Sequence, residues 1–297
     1  MVRKSVLGAF VVLIAIWSLT PIYTIANISL MRMDNVVHIP GYILPKDPTF
    51  NQYIRLFGSD IKAGGIAVGA AEQQFRKFGQ YQGLTTGLIN ILIIAPVVMI
   101  ITMLAAVPAG YALGRFRIKY RNAYLGLLLG SRAIPPVSVV IPYYFLFKSV
   151  NLLGNPISLI IADLSITIPI ITWILTGFFG SLPRDLEKAA RIDGATMSQA
   201  FRYAVLPFAL PGLGATAVLA FLYPWNEFLN AWLLTGGSVS GQVYNSFMTS
   251  FFAMQAVDNL FASAVVIQII PALVVAAILQ RYITRLKIVD PSAVVLT

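Results

Sequence analysis

Eleven carboxylates, one histidine and no cysteine limit the chemistry open to this 297-residue chain. Without cysteine there are no disulfides, no Cys/His zinc sites and no haem-attachment motif. A Ser-His-Asp nucleophile would have to use His38, which sits between Val37 and Ile39 in a polar loop where a solvated side chain is the plainer reading. No G-x-x-x-x-G-K-[ST] run occurs, so nothing in the sequence cradles ATP phosphates. What remains are three charges inside long apolar runs: Arg132, Asp163 and Glu227. An unpaired charge in hydrocarbon costs at least about 2.5–3.5 kcal/mol, so each of them needs a partner. Counting residues along their helices places Arg132 and Asp163 at heights roughly 7 Å apart in a core of about 30 Å. They are therefore expected to approach one another or to share a polar network. Glu227 follows Pro224, and two roles stay open for it: bonding the hydroxyls of a polar ligand, or capping amides that the proline frees.

The elements that hold these residues follow from composition. Hydrophobic residues make up 58% of the chain and charged ones 11%, against about 25% charged in a soluble domain. With a mean hydropathy of +0.80, the chain reads as an all-α integral membrane protein. The net charge of +10 sets topology and meets anionic membrane lipid. No basic helix or RNA-binding aromatic motif supports nucleic acid as a partner. Six apolar stretches, 6–29, 84–113, 123–147, 157–179, 208–234 and 260–279, fill half the chain, and each can cross a bilayer core of about 20 residues. Apolar runs of this length exclude a β-barrel, whose strands alternate. The first stretch is too long for a signal-peptide core and no A-x-A cleavage pattern follows, so it reads as a retained helix. Thirteen Lys and Arg fall on the side that holds both termini and seven on the other. Six of those seven lie in the long loop 30–83, which weighs little in such counts. Both termini are thus placed in the cytoplasm and loop 30–83 outside. Within that loop Pro40, Gly41, Pro45 and Pro48 give turns, and Asn51–Phe57 gives a short helix with Tyr53, Leu56 and Phe57 on one side. Gly110-x-x-x-Gly114 and Gly126-x-x-x-Gly130 mark close helix contacts.

The segment 181–207 is the longest polar stretch on the cytoplasmic side. Ser181 is a candidate N-cap, with Pro183, Asp185 and Glu187 in the first turn. Leu186, Ala189, Ala190 and Asp193 share one small face, and Gly194 stops the helix. Thr196-x-x-Gln199 has capping-box spacing and opens a second helix with Met197, Phe201 and Val205 in an apolar line. Two readings stay open for the first helix: docking into a groove on another protein, or lying as an amphipathic linker on the membrane surface.

These residues carry a resemblance. Leu186-Glu-Lys-Ala-Ala-Arg-Ile-Asp-Gly-Ala195, followed by Leu206-Pro207 and Pro211, resembles the EAA loop of importer-type ABC permeases, in particular the maltose-type sugar group. Asn51-x-Tyr53, Asn90, Ala109-x-Tyr111-Ala-Leu-x-Arg115-Phe116, Pro135, Ile141-Pro142, Pro169, Trp225-Asn-Glu-Phe-Leu229, Pro271 and Gln280-Arg-Tyr282 resemble further elements of the same group. The resemblance runs from about residue 40 to 282. The chain departs from it at Lys188, where the family usually has Glu; Glu187 is placed to substitute from one position earlier. It also departs at Arg132, in an apparent insertion over 58–83, and in a tail after Tyr282 without the family's Gly-rich ending.

The resemblance implies a type I, MetI-like permease: a single transmembrane domain over 1–297 with six helices, in the plasma membrane. It implies no enzymatic activity and no cofactor in this chain, with ATP and Mg on two partner ATPase subunits. A second, usually non-identical permease subunit and an extracytoplasmic sugar-binding protein complete the complex. Leu186, Glu187, Lys188, Ala189, Ala190, Asp193, Gly194 and Ala195 would couple to the ATPases. Candidate pathway residues are Tyr143, Tyr144, Trp173, Trp225, Asn226 and Glu227, since aromatic rings stack on sugar faces and amides or carboxylates bond hydroxyls. Interface anchoring or helix packing is the plainer reading of the aromatics. The competing function is an ion-gradient-driven secondary transporter, which calls for midplane ionisable residues and often inverted repeats. Only Asp163, Arg132 and Glu227 qualify and no segment repeats. A membrane scaffold without transport is a third class. The basic-residue count yields a test. A single cysteine introduced at position 60 of this cysteine-free chain should label from outside intact cells, and labelling only after permeabilisation would invert the topology.

Overall fold

The computed structural model describes residues 2–36, 43–57, 80–235, 243 and 258–283. His38, Pro40, Gly41, most of 58–83 and the tail from 284 lie outside the described residues. All regular structure among the described residues is helical: α1 (Val2–Leu30), α2 (Met33–Val36), α3 (Asn51–Leu56), α4 (Gln80–Arg115), α5 (Arg121–Gly130), α6 (Pro136–Ser149), α7 (Pro156–Ser181), α8 (Asp185–Ile192), α9 (Met197–Gln199), a π-helical segment (Ala200–Val205), α10 (Leu206–Asn226), α11 (Leu229–Thr235) and α12 (Asp258–Ile283).

Among the described residues, five helices are long and apolar enough to cross a membrane: Val6–Leu30, Thr85–Arg115, Pro156–Ser181, Met197–Asn226 and Asn259–Ile278. The third apolar stretch, expected as one span over 123–147, is two helices, α5 and α6, parted at residues 131–135. The Pro135-Pro136 pair causes the break. A residue before proline is driven out of the α region, and Pro135 sits at φ −59°, ψ 135°. Pro136 then opens α6, where a missing N–H costs nothing. The fifth stretch, expected over 208–234, differs at both ends. Its helix starts early, because α9, the π segment and α10 form one continuous run, and it stops at Asn226, with an extended Glu227 and then Phe228 before α11. Pro207 cannot donate to the carbonyl four residues back, and the wider π turns lie immediately before α10, which holds that proline in its first turn.

The chain divides into two compact units, 1–88 with 243–271 and 89–242 with 272–297. In the first, polar side chains close the end of α1, whose last carbonyls have no helical partners. Ser263 Oγ donates to Ser29 O (3.2 Å), Thr49 N to Leu30 O (2.8 Å) and Asn259 Nδ2 to Met31 O (3.1 Å). Tyr53 on α3 meets Ser29 Oγ at 2.7 Å, and Leu56 is fully buried. Phe57, expected beside them, lies past the end of α3 and is exposed.

In the second unit α4, α7, the π segment and α10 share a core of Ala106, Tyr111, Ile171, Leu175, Phe179, Val205, Ala209 and Ala220. Thr102 and Thr167 bond each other inside it through their hydroxyls at 2.7 Å. The Gly110-x-x-x-Gly114 face lets α4 lie directly on α7. A Cβ at Gly110 would stand 2.7 Å from Leu175 Cβ, and one at Gly114 would stand 2.7 Å from Thr176 O. Gly126 and Gly130, expected to serve the same way, have nothing within 4 Å of such a Cβ, so that pair makes no close contact here. Gly110→Ala and Gly114→Ala should each destabilise the protein by about 1–3 kcal/mol through overpacking, while Gly126→Ala is neutral. Thermal melts in detergent check this; equal melting of all three variants would discard the close-approach argument.

Candidate functional site

The polar segment 181–207 is built from the ends of α7 and α10 outward. Leu182 precedes Pro183 and is extended at φ −69°, ψ 146°, which ends α7. Ser181 is therefore the last residue of α7, its Oγ donating to Phe178 O at 2.8 Å, and not the N-cap expected for the next helix. That helix, α8, starts at Asp185 with Arg184 at the cap position and no side-chain cap bond. Asp185 and Glu187 in its first turn and Arg191 in its last complement the helix dipole. Gly194 stops it at φ +87°, with Ala195 N bonding Ala190 O (3.0 Å) and Gly194 N bonding Arg191 O (3.1 Å), the two bonds of a Schellman ending. Thr196 and Gln199 then form a reciprocal capping box that opens α9.

A buried guanidinium holds α8 to the membrane helices. Arg115, at the end of α4, is 2% exposed and spends Nε on Glu187 Oε1 (2.9 Å), Nη1 on Leu182 O (2.6 Å) and Nη2 on Pro183 O (2.8 Å). Tyr111 OH donates to the same Glu187 oxygen at 2.8 Å. Its ring packs on Phe116, Phe179 and Phe201 with centroids 5.5, 5.5 and 4.5 Å away. Val205 is buried in the same core, whereas Met197, the third member of the expected apolar line, is exposed.

This geometry decides the expectation about Glu187. One position along a helix is a turn of about 100°, and Glu187 faces inward onto Arg115 while Lys188 faces outward and pairs with Asp185 at 2.9 Å. Glu187 therefore does not take over the outward position that Lys188 occupies. The outer face carries Lys188, Ala189, Arg191, Ile192 and Asp193; Leu186, Ala190 and Ala195 are half-buried. The single face expected of Leu186, Ala189, Ala190 and Asp193 is thus divided between an inner and an outer side. Ile192 is 85% exposed, a large apolar side chain at the tip of a charged helix.

At the other end of α10 a cavity of about 700 Å³ lies between α6, α7 and the α10–α11 junction, lined by Pro136, Val137, Thr167, Ile170, Ile171, Ile174, Leu219, Leu222, Tyr223, Asn226, Glu227, Phe228 and Leu229. Asn226 and Glu227 are the two sequence-selected pathway residues that line it. Glu227 accepts from Asn230 N (2.8 Å, Oε1) and Ala231 N (3.0 Å, Oε2), so its carboxylate caps α11. Asn226 Nδ2 bonds Leu222 O at 2.8 Å. Trp225 does not reach the cavity: it turns inward, 1% exposed, and stacks on Phe221 at 5.4 Å. Tyr143 bonds Ser165 Oγ at 2.7 Å, Tyr144 packs edge-on against Phe145, and Trp173 is exposed; none of the three lines the cavity.

Arg132 and Asp163 make no ion pair with each other among the described residues. The α5–α6 break puts the Arg132 guanidinium over the Tyr223 ring, 5.9 Å from its centroid. Asp163, 2% exposed, instead lies beside the Asn230 side chain and within electrostatic reach of Glu227, and its Oδ1 has no hydrogen-bond partner among the described residues. Tyr223 was not singled out from sequence, although it stands one turn before Glu227 and so shares its helix face.

Residues 106–288 match the family described as binding-protein-dependent transport system inner membrane component. The chain is 28% identical over 269 residues to the trehalose transport system permease protein SugB of Mycobacterium tuberculosis, covering 90% of this chain and 89% of that protein. It is 31% identical over 207 residues to the diacetylchitobiose uptake system permease protein NgcG of Streptomyces coelicolor, covering 66% and 65%. With the sulfoquinovosyl glycerol transport system permease protein SmoH of Agrobacterium fabrum it shares 37% identity over 150 residues, 50% of this chain and 53% of that one. Its fold resembles a crystal structure of a bacterial ABC transporter involved in alginate import, with a TM-score of 0.69, 21% identity and coverage of 95% and 96%.

The two ion pairs of α8 separate experimentally. Removing one partner of a buried pair costs about 3–5 kcal/mol, whereas an exposed pair is worth about 0–1 kcal/mol. Arg115→Leu should therefore collapse folded yield and thermal stability, and Lys188→Leu should leave both near wild type. Equal effects would remove the clamp from the account.

Proposed function

The chain belongs to the family of binding-protein-dependent transport system inner membrane components, and from that premise we propose that it is a permease subunit of a sugar-importing ABC complex. Relatives named for trehalose, diacetylchitobiose and sulfoquinovosyl glycerol transport support a sugar or oligosaccharide as cargo. The complex comprises a second, non-identical permease subunit, two cytoplasmic ATPases that hold ATP and Mg, and an extracytoplasmic sugar-binding protein. In this reading the termini and segment 181–207 are cytoplasmic, loop 30–83 is external, and the chain itself hydrolyses nothing.

The observation that carries the proposal is the division of α8 into a clamped inner face and an open outer face. Arg115 and Tyr111 fix Glu187 from inside, and Lys188, Ala189, Arg191, Ile192 and Asp193 stand exposed. A free surface helix needs no such root; a helix that must transmit displacement from a partner does. ATP binding closes the ATPases, α8 follows, and the α4 and α7 ends move with it. Each nucleotide state then favours one permease conformation by its differential affinity.

Replacing the Walker lysine of the co-expressed ATPase with alanine should abolish sugar uptake into proteoliposomes holding the full complex. Uptake that persists, or that follows an imposed proton or sodium gradient without ATP, would overturn this function in favour of a secondary transporter.

A further inference from the structure

Among the described residues, Arg132 is the charge of the cavity region that is neither sealed in the interior nor given to a helix cap; its guanidinium meets only the Tyr223 side chain. Glu227 turns both oxygens onto the amides of α11. Asp163 is sealed within the protein at 2% exposure. Arg132 has no carboxylate within ion-pair distance among the described residues and is half-buried; it stands behind the cavity lining rather than in it, with its guanidinium over Tyr223, which lines the cavity with Asn226 and Glu227. The position is built: the break between α5 and α6, made by Pro135-Pro136, lets the side chain leave the helix direction.

Accepting the sugar-import reading as its premise, we propose that Arg132 selects sugars bearing an anionic substituent, a carboxylate, sulfonate or sulfate. A guanidinium presents planar paired donors that match such groups bidentately. The cavity wall, with Ile170, Ile171 and Leu222, is apolar, and low dielectric strengthens an ionic contact made beside it. The volume of about 700 Å³ lies within the range that takes a small ligand. A neutral sugar finds few vacant polar partners there, because Asn226 and Glu227 already bond backbone groups. The anionic group would sit beside the guanidinium at the Tyr223 end of the cavity.

The test uses the membrane complex, both permease subunits with their ATPases and without the soluble sugar-binding protein, in nanodiscs at fixed ionic strength. Equilibrium binding is measured for two matched pairs of probes: galactobiose against digalacturonate, and cellobiose against cellobiose 6-sulfate. At least one acidic member should bind wild type more than tenfold tighter than its neutral counterpart, as expected for charge-assisted bonds. Arg132→Gln should erase that preference, and Arg132→Lys, which keeps charge without the fork, should fall between. Neutral members binding wild type as tightly as acidic ones would overturn the proposal, as would a preference that survives Arg132→Gln. The wild-type comparison decides even where Arg132→Gln fails to assemble. In proteoliposomes holding the full complex with its sugar-binding protein, ATP-driven uptake of neutral sugars alone would reject anion selection and leave sugar import standing; failure of the ATP-hydrolysing complex to move any sugar would reject both.

Discussion

The Arg115 guanidinium is the joint on which the cytoplasmic half of the second unit depends. Proline at 183 ends α7 and leaves the carbonyls of Leu182 and Pro183 without helical partners. Left buried and unbonded, such groups cost about 1–3 kcal/mol each. Arg115 takes both, and with its remaining Nε it takes Glu187. One side chain therefore joins the end of α4, the end of α7 and the start of α8. Tyr111, one turn earlier on α4, adds a bond to the same carboxylate and wedges its ring against Phe179 and Phe201. Lysine at 115 could not reproduce this, because its point charge lacks the three directed nitrogens.

The same rule, that backbone groups away from water must find partners inside the protein, explains the other irregularities. Where Pro224 and the residues after it interrupt the fifth apolar stretch, Glu227 takes the first amides of α11. Where α1 ends, side chains from α12 and the backbone before α3 take its last carbonyls. The breaks are where polar residues in an apolar sequence earn their positions. Glu227 acts there as a helix cap, the structural one of the two roles its sequence left open.

Much of this was legible beforehand because it rests on local chemistry. The glycine stop at 194, the Thr196–Gln199 box and the close approach at Gly110 and Gly114 each follow from one residue type meeting one geometric need. The helix breaks were harder, because hydropathy is blind to them: Ser131–Pro135 and Glu227–Phe228 sit in runs apolar enough to span, and the Pro135-Pro136 pair was the available signal. The inward course of Trp225 and Glu187 was not legible. Glu187 is set by helix phase after the irregular turn at Leu182-Pro183, where a phase error of one residue exchanges inside for outside, and Trp225 by its stacking on Phe221 one turn back in the same helix. The partners of Arg132 depended on the same breaks: height across the membrane brought it near Asp163, but the unwound segment turned it toward Tyr223.

The continuity of α9, the π segment and α10 gives the two regions a mechanical relation that neither has alone. From Met197 to Asn226 the chain is helical throughout, a run of 30 residues and so about 45 Å at 1.5 Å per residue. One end begins three residues past the Gly194 stop of α8; the other carries Tyr223 and Asn226 into the cavity. A helix of this kind resists compression, so displacement at Met197 has to appear as motion at Asn226 unless something yields between them. The wide turns at Ala200–Val205 depart from α-helical bonding, yet they are held where Phe201 meets Tyr111 and Val205 enters the core. The run is thus anchored near its α8 end, while its Tyr223 end faces α6 and α7 across the cavity.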